Sequence, residues 1–149
     1  MSPTIQILVL STALLPAQNF LAGAAKVDIT PALGIQLAGD IGRHRPAARV
    51  LDPLYARALV LEDAGRQFCI LSIDALALDT PWADELRRRS GLPPESVMIH
   101  ITQTHSAPSI GNHFCRDSCP HIPAEHSWLR GGDERYNEPA LAGILRAIN

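Results

Sequence analysis

The feature that most restricts how this chain can fold is a pair of apolar runs separated by one helix-length segment. Residues 67–73, Gln-Phe-Cys-Ile-Leu-Ser-Ile, are nearly continuous in apolar side chains, the pattern of a strand buried on both faces. Residues 96–102 read as a second strand, with Val97, Ile99 and Ile101 on one side. Between them Thr80 is placed as an N-cap and Pro81 as the first helical residue. Asp84 and Glu85 follow, and Arg87, Arg88 and Arg89 come at the end. That order complements the helix dipole. Gly91 is a stop signal and Pro93-Pro94 a turn. Residues 67–102 therefore predict a β-α-β unit with parallel strands and a right-handed crossover.

The surroundings extend this to an α/β fold, a mixed sheet with flanking helices. Residues 54–62 read as a strand that returns through the short turn Asp63-Ala64-Gly65-Arg66. Residues 20–29 read as a strand ending at Thr30-Pro31. Residues 34–50 hold Gly34, Gly39, Gly42 and Pro46 and have no period, so they read as a loop. Its Arg43, His44, Arg45 and Arg49 are expected on a solvated surface, with an anionic ligand as the alternative. Residues 111–132 read as irregular and polar. A helix is expected over 137–149, with Asn137 as its cap, Pro139 in its first turn, and an apolar stripe of Leu141, Ile144, Leu145 and Ile148. It reaches Asn149 without a stop signal, which predicts a chain that continues and a last helix with poor cover.

The chain has 149 residues, 46% hydrophobic and 19% charged, which is a globular composition large enough for one core. Its formal net charge of −2 shows no footprint for nucleic acid. Residues 1–19 contain an apolar run of signal-peptide length, too short for a membrane span. No Lys or Arg precedes it, so it reads as a weak export signal and predicts a secreted or periplasmic protein. An ordinary first element or a misassigned start are the alternatives. No other segment is a candidate for an integral membrane span. Residues 20–149 are expected to form one α/β unit, the N-terminal portion of a larger domain.

The chemistry-bearing residues cluster where the second strand of the β-α-β unit runs out. Gln103 and His105 continue the side of Val97, Ile99 and Ile101. An imidazole and a carboxamide then project together before Pro108 stops the ladder. Asp74 follows the first strand directly, and parallel strands end on one edge, where open α/β sheets place their sites. Asp74 and His105 are thus candidates to meet, the carboxylate orienting the imidazole or sharing a metal with it. The plainer readings are a turn acceptor for Asp74 and a satisfied loop carbonyl for His105. Ser106 follows His105 on the opposite face, poorly placed for a Ser-His nucleophile. No P-loop, nucleophile elbow or dinucleotide fingerprint is present.

Cys69 sits within an apolar run and reads as a small buried hydrophobe. His113, Cys115, Cys119 and His121 are zinc-ligand types, but their spacing departs from the usual pairs. A disulfide between Cys115 and Cys119 and a plain loop with free thiols remain alternatives, and His126 belongs to none of these.

Four segments in order carry a resemblance. They are Gly23-Ala24-Ala25-Lys26-Val27-Asp28-Ile29-Thr30-Pro31, then Asp52-Pro53-Leu54-Tyr55-Ala56-Arg57-Ala58-Leu59-Val60-Leu61, then Leu71-Ser72-Ile73-Asp74, then Thr104-His105-Ser106-Ala107-Pro108. Together they resemble the N-terminal part of the neutral/alkaline non-lysosomal ceramidases and their bacterial relatives, over roughly residues 21–110. The resemblance implies a zinc-dependent amidohydrolase that cleaves the N-acyl bond of a sphingolipid-like substrate, a lipid or small-molecule amide. It implies that His105 lies beside metal and substrate as a catalytic residue or ligand, with Asp74 a second catalytic candidate supporting it or lining the binding edge, and Ser106 against the substrate. The family loop reads H-T-H-S-G-P. Its first histidine, a zinc ligand, is Gln103 here, and a carboxamide is a weaker zinc donor than an imidazole. Gln103 is then either a metal or a substrate contact. His100 is no simple substitute, because it falls on the other face of the strand. The alternatives are a family member with a divergent substrate and a non-catalytic module that binds a ligand at the same edge.

Overall fold

The structure, a computed structural model, describes residues 20–40, 42–114 and 121–149. The export-signal reading of residues 1–19 and the pairing of Cys115 with Cys119 lie outside them. Four strands, β1 (Leu21–Asp28), β2 (Tyr55–Asp63), β3 (Arg66–Ile73) and β4 (Val97–Ile101), form one sheet in the order β1-β2-β3-β4. The first three are antiparallel neighbours and β3 pairs with β4 in parallel. Helix α1 (Thr80–Arg89) makes the crossover, and α2 (Glu134–Ile148) closes the chain. This is the expected α/β fold with a mixed sheet and the β-α-β unit.

Alternation explains the core. Ala58, Leu71 and Ile99 stand in one cross-strand row, as do Ala56, Ile73 and Ile101. Ala56, Ala58, Cys69, Leu71, Ile73 and Val97 are buried on that face. They pack with Tyr136, Ala140, Leu141 and Ile144 of α2 and with Leu86 of α1. Each large side chain so buried contributes roughly 1.5–3 kcal/mol. On the opposite face Leu59, Phe68 and Met98 are exposed among the described residues, which cover β3 on one face only, not on both. The tight hairpin between β2 and β3 takes Ala64 and Gly65 through positive φ, 49° and 76°, matching the twist of the flanking strands.

Both helix starts differ from expectation. Asp79, not Thr80, caps α1: its side chain accepts from the Trp82 amide at 3.2 Å. Its other oxygen accepts from the Asn112 amide at 2.9 Å, joining the helix start to the chain after β4. Helix α2 begins at Glu134 with Asp133 as its cap, so Pro139 is internal and Asn137 is not a cap. Asn137 is buried, and its Oδ1 accepts from the Gly111 amide at 2.9 Å. Proline inside a helix removes one backbone donor, but the cap and the buried face of α2 outweigh that loss. The last helix is therefore well covered, contrary to expectation. Cys69 is fully buried, and burial pushes its thiol pKa up, as suits a core residue.

Candidate functional site at the strand ends

The two parallel strands do end on one edge and remain joined beyond it. The Thr102 amide bonds the Ile73 carbonyl at 3.1 Å, and Thr104 bonds Ala75 at 3.0 Å. Farther on, Leu78 and Ile110 form a parallel bridge. Between these contacts the chain bends, because Gln103 adopts a left-handed φ of 57°. The alternation that put Gln103 and His105 on the side of Ile101 does not survive that residue. Gln103 and His105 are both exposed, and Ala107 and Pro108 then turn back into the core.

Asp74 and His105 occupy the same edge but are not joined by a hydrogen bond or ion pair. One Asp74 oxygen accepts from the Tyr55 amide at 3.0 Å and from the Arg57 guanidinium at 2.8 Å. The Asp74 amide returns a bond to the Tyr55 carbonyl at 2.9 Å. Asp74 thus ties β3 to β2. Lys26 lies over the Tyr55 ring at 4.3 Å, and Arg57 is 5.2 Å from the same centroid, a cationic border to the edge. His100, still within β4, contacts Ser72 at 3.2 Å.

His105 is held by the loop that sequence reasoning left on the surface. Its Nδ1 lies 3.0 Å from the Gly39 carbonyl. Its own carbonyl accepts from Arg45 Nη2 at 2.6 Å, and the Ala38 amide bonds the Ala107 carbonyl at 3.0 Å. The loop is internally braced. Leu37 bonds Arg45 and Ala47 bonds Ile35 through the backbone, at 3.0 and 2.8 Å. Gln36, buried, donates to the Leu37 and Arg43 carbonyls and accepts from the Arg45 amide. The Gln36 amide in turn bonds Asp133 at 3.3 Å, and Arg135 reaches the Gly34 carbonyl at 2.9 Å, so α2 anchors the loop. The Arg135 guanidinium, through its hydrogen bonds, holds the Asp133 carboxyl below the usual carboxylate range despite partial burial. The expectation of a solvated basic loop holds for Arg43, whose contact with Asp40 is exposed. It holds too for His44, exposed although stacked on Trp128 at 5.7 Å, and fails for Arg45, half-buried and bound to the His105 carbonyl.

A cavity of about 560 Å³ runs along this edge. Thr104 and Ser106, the neighbours of His105, line it together with Arg45, Arg49, Leu51 and Leu54. Its walls are mostly apolar with a few convergent polar groups, the usual make-up of a small-molecule site. Gln36 escaped sequence reasoning, which read Gly39 and Arg45 only as parts of a solvated loop. The only signal was a glutamine and a glycine in a stretch without period.

The implied zinc has an incomplete donor set. No group of three or more His, Cys, Asp or Glu side chains able to hold a metal occurs among the described residues. His105 stands with a carboxamide, Gln103, and these two alone are too few donors for zinc. His113 is described and lies against the Phe114 ring at 4.8 Å. Cys115 and Cys119 lie outside the described residues. These residues by themselves do not fit a zinc centre.

No family model and no curated protein matches the chain. Solved structures do. The neutral ceramidase from Pseudomonas aeruginosa superposes with a TM-score of 0.66 at 22% identity, covering 88% of this chain and 21% of that one. A ceramidase complexed with C2 superposes at 0.62 with 23% identity, covering 87% and 20%. The chain is therefore an α/β unit with a neutral ceramidase-like fold. It spans about a fifth of the length of the solved ceramidases it matches. Among the described residues no helix is long and apolar enough to cross a membrane.

Proposed function

We propose that the chain is part of a ceramidase-like hydrolase that cleaves the N-acyl amide bond of a sphingolipid-like substrate at the β3–β4 edge. The observation that carries this reading is His105, in a T-H-S-A-P loop on a ceramidase-like fold, flanked by residues that line an apolar cavity. The cavity would take the lipid portion and bring its amide to the loop. His105 would accept the proton of the attacking water and return it to the departing amine. Ser106 and Gln103 would contact the substrate's polar groups. Asp74 would hold the edge in place through Tyr55 and Arg57. Zinc, when bound, would polarise the water and the carbonyl. Its donors would have to include residues beyond those described. Residues 20–149 would form the N-terminal portion of the catalytic domain, and an exported protein would suit such a substrate.

Gln103, where the family motif has a histidine, favours a second reading: ligand binding at the same edge without hydrolysis. One assay separates the two. The chain is incubated with an N-acylsphingosine and zinc, and released fatty acid is measured with and without a chelator. Chelator-sensitive release supports a zinc hydrolase. Tight binding of the intact substrate without release supports the second reading.

A further inference from the structure

His105 Nδ1 faces a backbone carbonyl, and a carbonyl oxygen can only accept a hydrogen bond. At 3.0 Å the bond therefore requires the proton to sit on Nδ1. A neutral imidazole has one proton, so Nε2 is left as a bare lone pair. An imidazole free in water prefers the opposite arrangement, with its proton on Nε2. We propose that the loop around Gly39 is a tautomer lock, in which Gly39 and Arg45 are positioning residues that hold His105 as a proton acceptor at Nε2.

Three features build the lock. First, the approach is closer than any side chain at position 39 allows. A Cβ on Gly39 would overlap the carbonyl oxygen, carbonyl carbon and Cα of His105. Second, Arg45 grips the His105 carbonyl from the same loop at 2.6 Å, so ring and backbone are fixed together. A side chain whose ring and backbone are held by one rigid segment keeps a single orientation. Third, the loop cannot slide freely, because Gln36 braces it internally and Asp133 at the α2 cap bonds the Gln36 amide. Helix α2, buried against the sheet, thereby sets the geometry of a side chain on the far edge.

The consequence is chemical. A ring with its proton on Nδ1 can accept a proton or a metal at Nε2, whereas the other tautomer can only donate there. The inference rests on the proposed hydrolytic site for what the lock is for, not for its geometry.

The test reads the tautomer directly. The full chain is labelled with ¹⁵N-histidine, and two-bond ¹H–¹⁵N spectra are recorded at about pH 8.5, above the ordinary imidazole range. His105→Ala assigns the His105 signals by their loss. The expected result in the wild-type protein is a protonated-type Nδ1 and an unprotonated-type Nε2. A predominantly Nε2–H ring, or fast exchange between both forms, overturns the proposal. Gly39→Ala is expected to release the ring toward the Nε2–H form. Arg45→Ala does so in part, and Arg45→Lys, which retains a donor, restores the wild-type spectrum. A Gly39→Ala protein that folds and keeps Nδ1–H also overturns the lock. An intact lock in a protein without hydrolysis would reject the proposed reaction and leave the lock standing.

Discussion

Replacing Tyr136 by phenylalanine is expected to cost stability at neutral pH and to remove a specific weakness at alkaline pH. Tyr136 is 3% exposed on α2, and its hydroxyl donates to the Ile29 carbonyl at 2.7 Å. Ile29 directly follows β1 and precedes Thr30, which lines the cavity. Tyr136→Phe deletes one buried hydrogen bond and strands its acceptor. The expected loss is roughly 1–3 kcal/mol, the net worth of such a bond plus the cost of an unpaired buried carbonyl. The alkaline effect has the opposite direction. Burial, with the Asp28 and Asp74 charges adding to it, pushes the Tyr136 phenol well above its ordinary value. A raised acid of this kind stabilises the fold fully below the unfolded pKa near 10. The contribution drains away at about 1.4 kcal/mol per pH unit as pH rises above it, because the unfolded state releases its proton first. The variant has no such proton. Urea unfolding of both proteins between pH 8 and 11.5 measures the gap. It should be constant up to about pH 10 and shrink above it. A gap that stays constant to pH 11.5 would refute the reasoning. Tyr55 is common to both proteins and cancels.

Ser109 is fully buried, and its hydroxyl has no hydrogen-bond partner among the described residues. Ser109→Ala should therefore raise stability by roughly 1 kcal/mol in urea unfolding, by removing an unpaired polar atom. Asp133→Ala removes the α2 cap and the bonds to Gln36 and Arg135, and should lower stability by about 2 kcal/mol at pH 7. Because the Asp133 carboxyl is held low, its stabilisation is present above the ordinary carboxylate pKa and lost as pH falls through the folded value. The variant should show a shallower acid dependence in the same assay. Gln103→Gly should raise stability by roughly 0.5–1 kcal/mol, since glycine adopts the observed φ of 57° without a Cβ penalty. A thermal shift downward would contradict that.

The parts of the fold legible in the sequence are those with a period and a punctuation mark. Val97, Ile99 and Ile101 alternate, the β2–β3 turn carries Gly65, and α1 has Pro81 in its first turn and three arginines in its last. Each is a local signal that the tertiary structure leaves intact. Asp79 and Asp133 were missed as caps because Thr80 and Asn137 offered equally good local chemistry, and only packing decides between neighbours. In α2, the proline pulled the expected start toward itself, although the core face already begins at Tyr136. The site was half legible. A polar loop at the end of a parallel strand pointed to His105. Its supporting loop was not legible, because residues 34–47 make their bonds mainly through backbone carbonyls and amides, which no side-chain pattern announces. The expected meeting of Asp74 and His105 rested on shared edge position alone. Asp74 instead satisfies the adjacent Tyr55 amide and Arg57 guanidinium.

In the proposed reaction His105 serves amide hydrolysis at this edge. The most direct measurement is fatty-acid release from a short-chain N-acylsphingosine, in the presence of zinc, by the wild-type chain and by His105→Ala, with melting temperatures recorded for both. Release by the wild type and a fall of about 10²–10⁴-fold in His105→Ala are expected. The melting temperature should stay near the wild-type value, because the His105 side chain is exposed. Equal release by both proteins, or none by the wild type, would contradict that role.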